Sequence, residues 1–477
     1  MERLRISIHL NQASVKSLTQ AITIKNNDGM VKMSVKAAKH EGVRVGILGG
    51  GLSGMAYAYF SSRIGFNITV LEKNVAPGGL MRSIFEEGFT FDTGGSHIIF
   101  SKDTDVLSFM LSLLGNNRVE NKRNTAILYK GRLVKYPFEN GLSDLPFLEN
   151  LSCLLHFLYA RMRRKRGAGN LREFFYSSLG SAISEKYLIP YNEKIWKMSI
   201  DEMSLGFVGR IPNPSVIDVV KASLGIGSEG YVHQLFFHYP KRGGIQALTD
   251  SLRNNIQGDV LTGFEVRRVK KESGKWIVSN GSVEIAFNKI VSTIPLHDAV
   301  RIFNAPQEVK SDVEKLKFNS LVTVAIGLEE LNVKGLSWLY IPDKDVHPHR
   351  VSFPSNYSPE NAPKGKASIL AEITVKPDDP FLQKKNEEIA NTVIEELDRL
   401  KILSKDKVIY MNVFKNRYAY PILDTHYQEC IGRIGTFFSE IDVEPVGRFA
   451  EFKYINMDDA IRNVANHLGI QRVSEYA

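Results

Sequence analysis

Gly49, Gly51 and Gly54 follow one another as G-x-G-x-x-G, directly after the apolar run Val43-Arg44-Val45-Gly46-Ile47-Leu48. Each glycine has separate work in a turn that receives a pyrophosphate. Gly49 lets the chain turn tightly, Gly51 lets the backbone approach the phosphates, and Gly54 lets a helix pack closely on the strand. Residues 55–63 read as a small-residue helix, and 67–71 as a second strand ending at Glu72, 18 residues after Gly54. A carboxylate there accepts hydrogen bonds from a ribose 2′-OH. A lone glycine turn is weak evidence, because such turns also serve structure alone. Strand, turn, helix, strand and acid in this order point to a dinucleotide site.

Pro77-Gly78-Gly79-Leu80-Met81-Arg82-Ser83 comes soon after Glu72 and Lys73, and Phe89-Thr90-Phe91-Asp92-Thr93-Gly94-Gly95-Ser96-His97 follows. Here the sequence resembles the flavoprotein superfamily of amine oxidases, protoporphyrinogen oxidases and UDP-galactopyranose mutases. In that superfamily an acid followed by G-G-x-x-R/S wraps FAD, and a D-x-G-G/x-H segment runs along the flavin. The resemblance therefore implies FAD rather than NAD. It assigns cofactor binding to Gly49, Gly51, Ser53, Gly54, Glu72, Lys73, Gly79, Leu80, Arg82, Gly95 and Ser96, and places His97 beside the flavin, with Ser96 an insertion relative to the family's G-G-H-V-I-F. Three later segments fit the same pattern: Tyr239-Pro240-Lys241-Arg242-Gly243-Gly244, Ile290-Val291-Ser292-Thr293-Ile294-Pro295-Leu296, and Gly447-Arg448-Phe449-Ala450. They imply a discontinuous FAD domain, with Gly447, Arg448 and Asp458 as further cofactor residues.

In the substrate half the resemblance narrows to UDP-galactopyranose mutase. Tyr136-Pro137-Phe138-Glu139-Asn140 is similar to the mutases' Y-P-F-Q-N, in which an aromatic ring and an amide hold the uracil. Glu139 replaces that amide, exchanging a donor and acceptor for a carboxylate that only accepts. Tyr191-Asn192-Glu193-Lys194-Ile195-Trp196 is similar to Y-N-x-K-x-W, and Gly209-Arg210-Ile211-Pro212 to G-R-I-P. Trp338-Leu339-Tyr340-Ile341-Pro342 and the run from Arg350 to Pro359 are similar to W-L-Y-F-P and R-x-x-x-F-S-N-Y-S-P. The resemblance makes Arg210 and Arg350 a clamp on the diphosphate, working with His97. It makes Phe138, Glu139, Asn192, Trp196, Tyr340, Tyr357, Tyr420, Tyr454 and Asn456 substrate-binding residues. Two arginines offer fork-shaped donors that stay charged at any working pH, and tyrosines add neutral donors.

The implied reaction is the interconversion of the pyranose and furanose forms of a UDP-hexose through a covalent N5-flavin–sugar adduct. It runs only with reduced FAD, for which NAD(P)H is the expected external reductant. The competing reading is an FAD-dependent oxidase or dehydrogenase acting on an amine, porphyrinogen or polyprenoid. That class shares every motif up to Gly95 but has no use for a diphosphate clamp. A non-catalytic flavin-binding protein would lack the clamp residues.

Elements have to bring these residues together. The pattern predicts an α/β fold: a discontinuous Rossmann-type FAD-binding domain (43–142 with 230–300 and 430–477), an inserted helical domain (143–229) and an antiparallel sheet (301–429) roofing the flavin. Apolar residues at spacings of three and four predict helices over 151–164 and 171–187, and a helix over 386–400. Strands are expected over 320–328 and 367–375. Residues 1–42 read as a basic extension, disordered or a misassigned start.

At 477 residues, with 43% apolar and 24% charged residues, the chain has ordinary globular composition, which excludes collagen-like and disulfide-framework proteins. Cys153 and Cys430 stand alone, so no metal site is expected and the setting reads as cytoplasmic. The net charge of +9 is carried by residues 1–42 (+4) and by Arg161-Met162-Arg163-Arg164-Lys165-Arg166 (+5). The rest is balanced, which argues against nucleic acid. The basic run ends an apolar helix. It reads either as a membrane-surface anchor or, preferred on the sequence, as a solvated helix end whose charges suit the C-terminal dipole. No segment is apolar enough to span a bilayer. A homo-oligomer is compatible with the sequence.

Overall fold

Arg44–Leu48 forms the central strand of a five-stranded parallel sheet in the order Gly258–Leu261, Asn67–Leu71, Arg44–Leu48, Lys289–Ser292, Val443–Pro445. Four of the five residues in each of Arg44–Leu48 and Asn67–Leu71 are buried, as a strand covered on both faces requires. The helices Leu52–Arg63 and Met457–His467 pack together against this sheet. Of the segment 290–296, which the resemblance implies as a returning strand, Lys289–Ser292 forms the strand beside the first one, and Leu296 already opens helix Leu296–Ile302. The computed structural model describes residues 42–163, 167–206, 208, 214–226, 235–333 and 335–477. It also describes the backbone of two antiparallel strands, Gln20–Asn26 and Gly29–Val35, within the basic extension.

A seven-stranded sheet lies across the molecule in the order Val408–Pro421, Phe318–Leu328, Ala367–Val375, Arg350–Ser352, Trp338–Tyr340, Thr125–Tyr129, Arg132–Lys135. Every residue of Phe318–Leu328 and Ala367–Val375 is buried. Helix Asn386–Arg399 covers one face through Ile389, Val393 and Leu397. The expectation of a purely antiparallel sheet confined to 301–429 needs two corrections. Trp338–Tyr340 pairs parallel with Thr125–Tyr129, and the strands from 125–135 complete this sheet although the sequence places them with the cofactor domain. A five-residue apolar strand carries no local signal of which sheet it joins.

The helical region contains Phe147–Arg163, Leu171–Leu179, Ile189–Trp196 and Val216–Ser223. The single helix expected over 171–187 is interrupted. Gly180 has φ +78°, and a Cβ there would stand 2.5 Å from His156 O. The two helices touch backbone to backbone at that point, which only glycine permits. A wide π-helical turn, Ser184–Leu188, then leads into Ile189–Trp196.

Candidate active site

Segments far apart in sequence meet at the N-terminus of helix Leu52–Arg63. A Cβ on Gly54 would lie 2.0 Å from Gly49 O, so turn and helix are in backbone contact. A Cβ on Gly51 would meet nothing within 4 Å. Open space beside bare backbone, at a helix start with no side-chain cap, is the geometry a pyrophosphate needs. Glu72 is 5% exposed. Its Oε2 accepts from Gly50 N (2.7 Å) and its Oε1 from Asn74 N (2.8 Å), which fixes the carboxylate at the end of its strand.

Other predicted cofactor residues close around this point. Gly78 N donates to Gly50 O at 2.7 Å, and Gly79, at φ +57°, lies so close to the glycine turn that a Cβ there would stand 3.2 Å from Gly51 Cα. Gly447 has φ +114°, and a Cβ there would lie 2.6 Å from Ser53 Oγ. Arg82 Nε donates to Gly79 O (3.3 Å), Leu80 is half-buried, and Lys73 is exposed. Arg448 turns its guanidinium onto the carbonyls of Ile455 and Ala419, clasping the segment that precedes helix Met457–His467. Asp458 accepts from Ser101 Oγ, and burial raises its pKa. The cradle at Gly51, the uncapped helix start and the fixed Glu72 carboxylate fit a dinucleotide.

The second half of the site is a row across the seven-stranded sheet. Tyr340 is register partner to Arg350, Arg350 to Glu372 and Glu372 to Thr323, so their side chains share one face. Arg350 Nε and Nη2 donate to Glu372 Oε1 and Oε2 at 2.8 and 2.6 Å. Burial opposes the arginine's charge, but Glu372 holds its pKa well above the ordinary value. Glu372 is fully buried and also accepts from Ser96 N (3.1 Å). Thr323 Oγ1 donates to Thr93 O (2.8 Å). The row thus grips the loop carrying Gly94, Gly95, Ser96 and His97. Gly95, at φ +94°, has room only for hydrogen beside Glu372 Oε2.

His97 Nδ1 meets Gly95 O at 2.8 Å. A carbonyl only accepts, so Nδ1 carries the proton and Nε2 is left as an acceptor. Burial, then the nearby Arg448, and to a lesser degree Arg350, push the His97 pKa down to about 4. The imidazole is therefore neutral at neutral pH, between two guanidiniums.

An aromatic wall continues from this row. Tyr340 lies 4.9 Å from Tyr136 and 5.3 Å from Tyr191, centroid to centroid. Trp196 stands edge-on to Tyr454 (5.4 Å) and Tyr420 (6.2 Å). Arg350 Nη1 and the hydroxyls of Tyr340 and Tyr420 have no hydrogen-bond partner among the described residues. Glu139 is 2% exposed with Oε1 unpartnered, and burial pushes its carboxyl up to about 7.

Not every predicted residue faces this space. Phe138 is fully buried and stacked on Tyr187 at 5.2 Å, so its ring belongs to the core, whereas Tyr136 is half-buried beside Tyr340. Asn192 uses its side chain within its own helix, donating to Leu188 O (2.7 Å) and accepting from Trp196 Nε1 (3.1 Å). It orients Trp196. Tyr357 is buried, with its hydroxyl 2.9 Å from Ser96 Oγ, and so reaches the cofactor loop. Asn456 caps helix Met457–His467 in a reciprocal pair with Asp459. Arg210 and the G-R-I-P segment lie outside the described residues.

Sequence reasoning missed Glu372, although a lone acid inside the apolar strand Ala367–Val375 was a usable signal. It also missed Lys194. This buried side chain donates to the carbonyls of Ile341 (3.0 Å), Asp343 and Pro348 (2.7 Å), pinning the loop between Tyr340 and Arg350.

The fold and this cradle are those of a dinucleotide-binding protein. The model for flavin-containing amine oxidoreductases matches residues 52–426, and the chain belongs to that family. Chloroplastic protoporphyrinogen oxidase 1 of Spinacia oleracea is 21% identical over 405 residues, 75% of this chain and 70% of that protein. Among solved structures, reduced UDP-galactopyranose mutase superposes with a TM-score of 0.79 at 22% identity, covering 90% of this chain and 94% of the other. A protein assigned as a protoporphyrinogen oxidase from Exiguobacterium sp. 255-15 gives 0.71 at 17% identity, over 90% and 98%. At these identities the structural likeness establishes the fold.

Proposed function

We propose that the protein is a flavin-dependent sugar-nucleotide mutase that interconverts the pyranose and furanose forms of a UDP-hexose. The observation that carries this reading is the Arg350–Glu372 pair. It leaves one guanidinium nitrogen and the Tyr340 and Tyr420 hydroxyls as unused donors on one wall. An apolar or amine substrate has no use for such donors, whereas a diphosphate takes all of them. The likeness to UDP-galactopyranose mutase in fold supports the same reading.

The turn at 49–54 and Glu72 would hold FAD, with Gly447 and Arg448 closing over it. Bound in its reduced form, the flavin supplies the nucleophile for the anomeric carbon. Arg350, working with Arg210, holds the departing diphosphate close enough to return. Glu372 orients Arg350 and lowers the net positive charge, so that UDP is held without being trapped. Neutral His97 contributes an acceptor beside the guanidiniums without adding a third charge.

The second reading, an FAD oxidase, rests on the sequence relative from Spinacia oleracea. Incubating the purified flavoprotein with UDP-galactofuranose, with and without dithionite, separates the two. Product formed only after reduction is the expected result, and Arg350→Ala should abolish it while leaving flavin bound. No interconversion in either redox state, together with oxygen consumption on a porphyrinogen, would overturn the mutase reading.

A further inference from the structure

Helix Phe147–Arg163 turns a continuous apolar stripe to solvent. Leu148, Leu151, Leu155, Tyr159 and Met162 are 76, 40, 54, 55 and 85% exposed. Their spacing of three and four places them along one side of the helix, while Cys153 and Phe157 are buried on another side. Helix Val216–Ser223 runs antiparallel beside it, since Asn150 Nδ2 donates to Ser223 O (2.8 Å) and Arg161 Nη2 to Pro214 O (2.7 Å). This helix and the turn after it add Ile217 and Leu224, 67% and 68% exposed. Scattered exposed leucines need no explanation, but a stripe that runs the length of a helix marks an interaction surface.

The charge around the stripe says what covers it. Arg163 and Lys221 are exposed at its margins, and the sequence continues as Arg164-Lys165-Arg166. Glu149, the single acid of the long helix, is held by Lys130 (2.9 Å) and Lys186 (3.2 Å). Asp218 of the shorter helix pairs with Ser215 at its own N-terminus. Of the acids on the two helices only Asp218 is not held by a lysine, so a second copy of the chain would meet these cations and the basic run after them with too few carboxylates to balance them. Phospholipid phosphates supply the missing charge, and acyl chains the apolar contact. No helix among the described residues is long and apolar enough to cross a membrane, so the helix would lie along the surface.

We infer that this face docks on an anionic phospholipid surface, with the stripe in the headgroup–acyl boundary and Arg163 and Lys221 against lipid phosphates. The helix exposes its apolar residues to solvent, which favours the membrane-surface anchor over the solvated basic end preferred on the sequence.

Co-sedimentation of the flavin-loaded full chain tests it, using phosphatidylcholine vesicles with and without about 30% phosphatidylglycerol. Binding should require the anionic lipid and weaken as salt is raised. It should fall about tenfold or more in Leu155→Ser/Met162→Ser and in Arg163→Glu/Lys221→Glu. The charge-reversal pair alters only exposed side chains, so it carries the test if the serine pair does not fold. Binding to neither vesicle, equal binding to both, or unchanged binding by the charge-reversal pair would overturn the inference. So would a dimer in light scattering that the serine pair converts to monomer.

Discussion

At the scale of single residues the site is built from charges held in unusual states. Arg350 is kept ionised and aimed by a buried carboxylate, whereas His97 is kept neutral by burial and the nearby guanidiniums. Glu139 is the departure with the clearest consequence. A protonated carboxyl both donates and accepts, as the amide it replaces does; an ionised one only accepts. With its carboxyl pushed up to about 7, Glu139 in the proposed UDP site would both donate to and accept from a uracil edge below that pH and would lose the donated bond above it. UDP affinity should therefore weaken by roughly tenfold between pH 6 and 8, about the worth of one buried hydrogen bond. Glu139→Gln should flatten that dependence in a calorimetric titration. The stability sign runs the same way. A carboxyl whose folded pKa is raised stabilises the protein fully below its unfolded value, and that contribution is lost as pH rises through 7. The melting temperature of wild type should accordingly fall more than that of Glu139→Gln across this interval.

At the scale of elements, two glycines three residues apart perform separable tasks. Gly54 lets helix and turn touch, since a Cβ there would stand 2.0 Å from Gly49 O, while Gly51 faces open space. Gly54→Ala should destabilise the protein even without flavin, because backbone must move. Gly51→Ala should leave the flavin-free melting temperature unchanged within about 1 °C yet lose flavin on gel filtration. Equal effects on stability from the two variants would remove Gly51 from the phosphate cradle. The seven-stranded sheet acts as a second element. By pairing Tyr340, Arg350 and Glu372 in register, it turns three separate sequence positions into one wall.

At the scale of the whole molecule, the cofactor domain is closed by chain segments hundreds of residues apart. Lys289–Ser292 and Val443–Pro445 extend the sheet begun at Arg44–Leu48, and Gly447 abuts Ser53. Flavin at about a hundred times its dissociation constant adds roughly 2.7 kcal/mol to stability. In hydrogen exchange the added protection should appear together at 49–54, 290–294 and 447–458. Protection confined to 49–97 would mean that the C-terminal segment takes no part in holding the cofactor.

The glycine turn, its flanking strands and Glu72 were legible in the sequence because they are local: each depends on backbone conformation within about thirty residues. The same holds for Phe318–Leu328 and Ala367–Val375, whose apolar runs end close to where the strands do. The tertiary structure alone decided the partners. That Glu372 aims Arg350, that Lys194 pins the loop after Tyr340, that Phe138 belongs to the core and Asn456 to a helix cap, and that an apolar stripe on Phe147–Arg163 meets solvent all depend on which surfaces meet. Periodicity tells which side of an element is apolar, but burial of that side is a contact between distant segments, and no local pattern encodes it.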